Sequence, residues 1–313
     1  MKEKEEVDII IPVYRPDEKL EMLIDKIKEQ TIQPAHVFFM QTLMGTQEDD
    51  EIKERLMTLP VAEVIPIEKK DFDHGGTRNR GASLSNAPFM LFMTQDAVPV
   101  DDHLIESLLD AMKDNSVVTA YGRQLPDETV GYIEHYTRQF NYPDASRTKD
   151  RSDLPELGIK TYFCSNVCAL YRRSAYEELG GFVRHTIFNE DMIMAAHVIE
   201  AGYKIAYVAE AQVVHAHRYS YRQQFTRNFD LAVSQRQYRE IFDGIKSESE
   251  GIRLVKETVK YLLRNGKWYL VPDLIFQSGF KFLGYCFGKK YEKLPLWMVR
   301  KMSMNKSYWR DGK

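Results

Sequence analysis

A chain of 313 residues, 43% hydrophobic and 28% charged with both signs interspersed, has the composition of a globular protein and the length for one large domain with an appendage, or for two domains. Three cysteines (Cys164, Cys168 and Cys286), no two of them in a Cys-x-x-Cys pair, exclude a disulfide framework and fit a reducing cytosol. The net charge of −3 conceals an asymmetry: residues 251–313 hold 14 Lys and Arg against 4 Asp and Glu, net +10, which leaves residues 1–250 at −13.

The opening "MKEKEEVDIIIPVY" places charge before an apolar run too short for a signal peptide, with no small-residue cleavage pattern. "VDIIIPV" (7–13) reads as a buried strand whose end is limited by Pro12. Asp17 is an expected N-cap for a helix in which Leu20, Leu23, Ile24 and Ile27 share one face. Strands are expected at 36–40, 62–67 and 89–93, with helices at 48–59 and 75–85 between them. Such alternation argues for a mostly parallel sheet with helices on both faces. Ligands of such sheets sit beyond the carboxyl ends of the strands, which points to Pro12–Arg15, Gln41–Thr42, Asp71–Gly76 and Gln95–Asp96.

Residues 122–160, with Pro126, Pro143 and Pro155, read as a polar, loop-rich insertion. Farther on, Asn189 is an expected N-cap, Gly202 an expected helix terminator and 203–208 a strand. From about residue 250, Ile252, Val255, Val259 and Leu262 recur at helical spacing among Arg253, Lys256 and Lys260. The longest apolar stretch, "VPDLIFQSGFKFLGYCFG", is interrupted by Asp273, Gln277 and Lys281, so no membrane span is expected.

Several residue groups could carry chemistry. Asp96, after the strand "FMLFM", suits either an N-cap for the helix beyond Pro99 or a cation ligand beside a diphosphate. His215 and His217 alternate in "VVHAHRYS", so in an extended segment both face one side, as cation ligands or as ordinary strand histidines. Glu190 and Asp191 open a helix, where the dipole alone favours carboxylates and where one of them could also serve as a base. In "FDHGGTRNRGA", Gly75 and Gly76 permit close backbone approach beside Arg78, an arrangement that suits phosphate or a plain helix entry with a salt bridge. Neither a Walker A loop nor a Gly-x-Gly-x-x-Gly fingerprint is present.

Taken in order, "IIIPVYRP", "DHGGTRNRGA", "TQDAVP", "FNEDMIMAAHVIEAGYKIAYV" and "VVHAHRYS" resemble the family 2 glycosyltransferases over roughly residues 7–240. "FDHGGTRN", "TQDA" and the basic aromatic tail resemble the bacterial rhamnosyltransferase branch. The resemblance implies an α/β fold of the GT-A type, a Rossmann-like mixed sheet with flanking helices in residues 1–245, plus a C-terminal helical region in 246–313. It implies Asp191 as the base of an inverting transfer, with Glu190 positioning the acceptor or the loop. Donor contacts would come from Pro12, Tyr14, Arg15, Asp73, Gly75, Arg78, Gln95 and Asp96, with Tyr14 stacked on the base. Mg²⁺ or Mn²⁺ would be held by Asp96 and His215, with His217 as the alternative ligand. The chain departs from the family's Asp-x-Asp because Thr94-Gln95 precedes Asp96; glutamine adds no charge but could reach a ribose hydroxyl or a metal-bound water.

The function so implied is transfer of L-rhamnose from dTDP-β-L-rhamnose to a polyprenyl-diphosphate-linked saccharide for a cell-surface polysaccharide. Another donor, such as UDP-galactose or UDP-GlcNAc, and a non-catalytic sugar-nucleotide-binding subunit are the alternatives. The tail carries no nucleic-acid motif. Its aromatics Trp268, Tyr269, Phe276, Phe280, Phe282 and Trp297 suit an interfacial helix pair at the inner face of the cell membrane, a homodimer surface or a solvated helical face.

Overall fold

The computed structural model describes residues 5–245 and 248–309. The described residues form two compact units. The first takes in those up to Leu125, then Tyr142–Arg184 and Glu190–His215; the second takes in Pro126–Asn141, His185–Asn189 and those from Ala216 on.

The strands are β1 (Val7–Val13), β2 (His36–Thr42), β3 (Ala62–Ile67), β4 (Phe89–Met93), β5 (Val98–Pro99), β6 (Val117–Leu125), β7 (Arg147–Lys149), β8 (Cys168–Arg172) and β9 (Lys204–Val214). The helices up to the middle of the chain are α1 (Lys19–Lys28), α2 (Glu48–Leu56), α3 (His74–Ala82), α4 (Leu104–Ala111), α5 (Tyr132–Asn141), α6 (Leu154–Leu157) and α7 (Arg173–Glu178). After these come α8 (Glu190–Glu200), α9 (Tyr221–Gln237), α10 (Arg239–Phe242), α11 (Glu248–Arg264), α12 (Val271–Gly288) and α13 (Leu296–Met302).

All nine strands join one sheet in the first unit, in the order β3-β2-β1-β4-β8-β6-β9-β5, with β7 also on β9. The first half is parallel as the alternation predicts, and β8 then runs antiparallel between β4 and β6, which makes the sheet mixed. β1 is buried on both faces because α1 covers one of them with Leu20, Leu23, Ile24 and Ile27, all at most 2% exposed. Each such side chain contributes about 1.5–3 kcal/mol of burial. Asp8, inside β1, is tolerated there because it accepts from His36 N at 3.0 Å and Ser85 Oγ at 2.7 Å. Pro12 does not end the strand; it pairs with Met40 on β2 beyond the last β1–β4 pair, Ile10 with Phe92, where its missing N–H breaks no rung.

The loop-rich reading of 122–160 is corrected. The segment holds the end of β6, α5, β7 and α6, and its prolines punctuate these elements: Pro126 follows β6, Pro143 follows α5 and Pro155 opens α6. Asn189 is not a conventional cap either. Its φ is 66°, in the left-handed region, and its amide donates to the Leu231 carbonyl at 3.2 Å. Gly202 does terminate α8: with φ 87° it lets Tyr203 N reach Val198 O and its own N–H reach Ile199 O.

In the second unit α9 and α12 approach at backbone distance. A Cβ on Gly284 or Gly288 would lie 2.2 or 2.3 Å from the carbonyl oxygens of Phe225 and Phe229, so only glycine fits. The side of α12 away from this seam leaves Ile275, Phe276 and Phe282 59–61% exposed. Phe280, one of the aromatics expected at an interface, is instead stacked on Tyr221. Among the described residues no helix is long and apolar enough to cross a membrane. The boundary expected between residues 245 and 246 borders residues 246–247, which lie outside the described ones, and this unit already includes α9.

Candidate active site

From β1 the chain moves outward through β2 and β3, then returns to place β4 on the other side of β1. The strand order therefore reverses between β1 and β4, and in open sheets of this kind ligands bind beyond the carboxyl ends of the strands at such a point. Tyr14 and Arg15 leave β1 there, and Gln95 and Asp96 leave β4. Gln95 Oε1 accepts from Tyr14 N at 2.7 Å while its Nε2 donates to Tyr14 O at 3.1 Å. The side chain thus adds one rung between the two strand ends. An aspartate could accept in that position but could not donate, so this rung needs an amide side chain at position 95. Arg15 holds φ 46°. Its guanidinium lies 5.4 Å and Lys69 Nζ 5.5 Å from the centre of the exposed Tyr14 ring, and Lys69 at the hydroxyl pulls the Tyr14 pKa below its usual value.

Asp96 is not a helix cap, because α4 begins only at Leu104 after His103. Its Oδ2 faces His215 Nε2 at 3.5 Å. His215 is brought there by the β6–β9 ladder, which shifts register between Gly122 and Arg123 as residues 209–211 bulge from β9. The bulge closes on Gly122, where a Cβ would sit 2.6 Å from Ala211 O. Beyond it Gln124 is level with Val213, so His215, two residues on, shares a face with Gln124. His215 Nδ1 lies 3.1 Å from Gln124 Oε1, and Gln124 Nε2 donates to Ser165 Oγ at 3.0 Å. A carboxylate and an imidazole nitrogen 3.5 Å apart fit two neighbouring ligands of one divalent cation, which stand about 3–3.5 Å apart when metal–ligand bonds are about 2.1 Å. Asp96 is partly exposed, so such an ion would keep positions for water and phosphate. His217, the alternative ligand, belongs to the second unit.

At the start of α8 two adjacent carboxylates meet opposite conditions. Glu190 is buried and pairs with Arg78 Nη1 at 3.1 Å. Burial opposes its charge, but the Arg78 guanidinium and then the His74 ring hold its carboxyl below the usual range. Asp191 accepts from Met192 N at 2.8 Å and Asn166 N at 3.3 Å. Burial and the Glu190 charge outweigh these bonds and push its carboxyl up to about 7. One carboxylate is thus kept ionised and its neighbour is poised to exchange a proton near neutrality.

The start of α3 serves mainly to build this pair. Asp73 caps the helix, accepting from Gly76 N at 2.6 Å. At Gly75 the close approach is made by the protein's own backbone: a Cβ there would lie 1.9 Å from Val183 O. Arg78, expected at a diphosphate, is 6% exposed and turned to Glu190 and to His74 O at 3.0 Å. The partner of Arg78 is the α8 carboxylate Glu190.

A continuous path joins the remaining candidates. Asp191 is bonded to Asn166, the next residue Val167 accepts from Thr94 N at 3.2 Å, and Asp96 follows two positions later. Asp96 faces His215, His215 meets Gln124, and Gln124 meets Ser165, beside Asn166. The path brings Asp191, Asp96 and His215 onto one rim at the sheet's end. Gln41 is left out, its amide donating to Asp49 O at 2.7 Å. Gln124, Ser165 and Asn166 were not singled out from sequence. The only signal for Gln124 was a polar residue closing the apolar run "VVTAYGRQL".

Residues 8–180 match the family described as Glycosyl transferase family 2. The O-antigen chain rhamnosyltransferase RfbN of Salmonella typhimurium is 40% identical over 309 residues, 97% of this chain and 96% of its own. The O-antigen chain rhamnosyltransferase WbaN of Salmonella anatum is 38% identical over 308 residues, covering 97% and 95%. Among solved structures, the mannosyltransferase PcManGT of Pyrobaculum calidifontis, in complex with GDP-Man and Mn²⁺, superposes with a TM-score of 0.57 at 14% identity, over 96% of this chain and 84% of that one. TarS of S. aureus with UDP-GlcNAc gives 0.52 at 13%, over 92% and 91%. These two likenesses show the GT-A fold.

Proposed function

The chain belongs to glycosyltransferase family 2, in the branch of the O-antigen rhamnosyltransferases, and from that premise we propose that it transfers L-rhamnose from dTDP-β-L-rhamnose to a lipid-linked saccharide with inversion. The sugar rests on the two full-length relatives. The reaction rests on one observation: a carboxylate raised to about 7, Asp191, on the same rim as the Asp96–His215 pair.

In this reading Asp191 removes the proton from the acceptor hydroxyl as its oxygen attacks the anomeric carbon. A single base without a covalent nucleophile inverts the β-linked donor to an α-linked product. Glu190, kept ionised by Arg78, raises the Asp191 proton affinity and so matches the base to neutral pH. Tyr14 and Arg15, held by the Gln95 rung, receive the nucleotide. Asp96 and His215 would hold the divalent ion, which supplies charge stabilisation for the departing diphosphate when bound. The exposed apolar side of α12 and the basic tail support peripheral association with an anionic membrane, where a polyprenyl-linked acceptor resides.

The test is transfer from a panel of dTDP- and UDP-sugars, with and without Mn²⁺ or Mg²⁺, to a lipid-linked acceptor. Selective turnover of dTDP-rhamnose supports the proposal. Turnover of a UDP-hexose alone removes the rhamnose assignment, and binding without turnover favours a non-catalytic subunit.

A further inference from the structure

We infer that Gln124 is a positioning residue that holds His215 in the tautomer protonated at Nδ1 and turns the Nε2 lone pair toward Asp96. The inference rests on reading Asp96 and His215 as cation ligands. A neutral imidazole has one donor and one acceptor nitrogen, and the bond made by one nitrogen decides what the other can do. Here the 3.1 Å partner of Nδ1 is the amide oxygen of Gln124, an acceptor, so Nδ1 must carry the hydrogen. The other end of the amide, Nε2, donates to Ser165 Oγ at 3.0 Å.

The surroundings make this assignment consequential. Gln124 is 2% and His215 7% exposed, so water does not readily replace either partner, and a wrong pairing in a buried site is costly. Were the amide reversed, Nδ1 would accept, Nε2 would carry the hydrogen, and His215 would present a donor to Asp96 where a cation needs a lone pair. Backbone architecture holds the two side chains against each other from both sides. The bulge that closes on Gly122 sets Gln124 diagonal to His215, and His215 N donates to Leu125 O at 3.0 Å, which fixes the histidine backbone one residue beyond Gln124. Gln124 thus stands to His215 as the outer partners of metal-bound histidines commonly do, orienting the ring and fixing its tautomer.

The experiment uses the metal-free full-length protein with isotope-labelled histidine. Long-range proton–nitrogen correlation spectra report the tautomer of each ring, and a His215→Ala spectrum assigns the signal. The expected result is His215 protonated at Nδ1 in the wild type and a mixture of tautomers in Gln124→Leu. Manganese titration of the same proteins should show Gln124→Leu binding about 10- to 100-fold more weakly. Gln124→Glu, which also accepts from Nδ1–H, should restore both tautomer and affinity, a rescue that a merely structural role for the amide would not produce. A wild-type His215 protonated at Nε2, or an unchanged tautomer in Gln124→Leu, overturns the inference. A wild type that shows the Nδ1 tautomer but binds no Mn²⁺ upholds the positioning of His215 and overturns the cation reading separately.

Discussion

At the sheet ends, Glu190 is bound to Arg78, Asp191 to two backbone amides and His215 to Gln124. Along the outer side of α12, Phe276 and Phe282 stay 60% and 61% exposed. The first region has its partners built in, which lowers the reorganisation needed when charge develops in a reaction. The second packs in its own unit through the α9–α12 glycine seam and leaves these apolar residues exposed, the side that the proposed membrane association would use. Chemistry and docking therefore fail in different ways when they are perturbed, and four substitutions or titrations separate them.

The largest effect should come from Asp191→Asn, which keeps the shape of the carboxyl but cannot take a proton. Transfer should fall about 100- to 10,000-fold while thermal stabilisation by the donor persists. Turnover near the wild-type rate would remove Asp191 as the base. Next comes Arg78→Met, which strands the Glu190 charge in a buried place. Breaking a buried pair from one side costs about 3–5 kcal/mol, to be read from denaturant unfolding, and an unchanged stability would show that the pair is not buried in solution.

Smaller and opposite in sign are the effects of pH on the two functions of Asp191. Its folded pKa lies above the ordinary value of 3.8, so the folded state holds a proton that the unfolded state has lost between that value and about 7. Stability should decrease as pH rises through this window. The base is competent only when deprotonated, so kcat/KM should move the other way and drop about tenfold from pH 8 to pH 6. Glu190, shifted down by Arg78, contributes stability above its unfolded pKa and loses it only under more acidic conditions. A rate limb and a stability limb running in the same direction across pH 6–8 would separate Asp191 from the catalytic step. The smallest chemical consequence is expected from Phe276→Ser with Phe282→Ser: transfer to a short soluble acceptor is unchanged, while binding to vesicles containing anionic lipid weakens about tenfold or more. Equal vesicle binding would detach α12 from the membrane, and a shift from dimer to monomer would assign this side to a second copy.

The two regions also differ in how far they could be read from sequence. Short apolar runs revealed β1 and β4, which are buried on both faces, and helical periodicity revealed α1, where Leu20, Leu23, Ile24 and Ile27 share one face. The motif residues Asp96, Glu190, Asp191 and His215 could be grouped only through the resemblance to the family, because each alone also reads as a cap or an ordinary polar residue. Their mutual contacts were not legible. Arg78 finds Glu190 across 112 positions and Gln124 finds His215 across 91, pairings that only sheet order and the β9 bulge create. Gly75 looked like a phosphate contact because close approach leaves the same mark in sequence whether a ligand or Val183 O comes near. In 122–160 the prolines hid α5 and β7, because punctuation between short elements resembles loop composition.

The most direct test of the account is to incubate the wild-type protein with dTDP-β-L-rhamnose and a lipid-linked saccharide and determine the anomeric configuration of the product by NMR. The account predicts an α-linked rhamnosyl product with one dTDP released for each sugar transferred. A β-linked product, which would mean retention of configuration, or transfer from a UDP-hexose in place of dTDP-rhamnose, would contradict it.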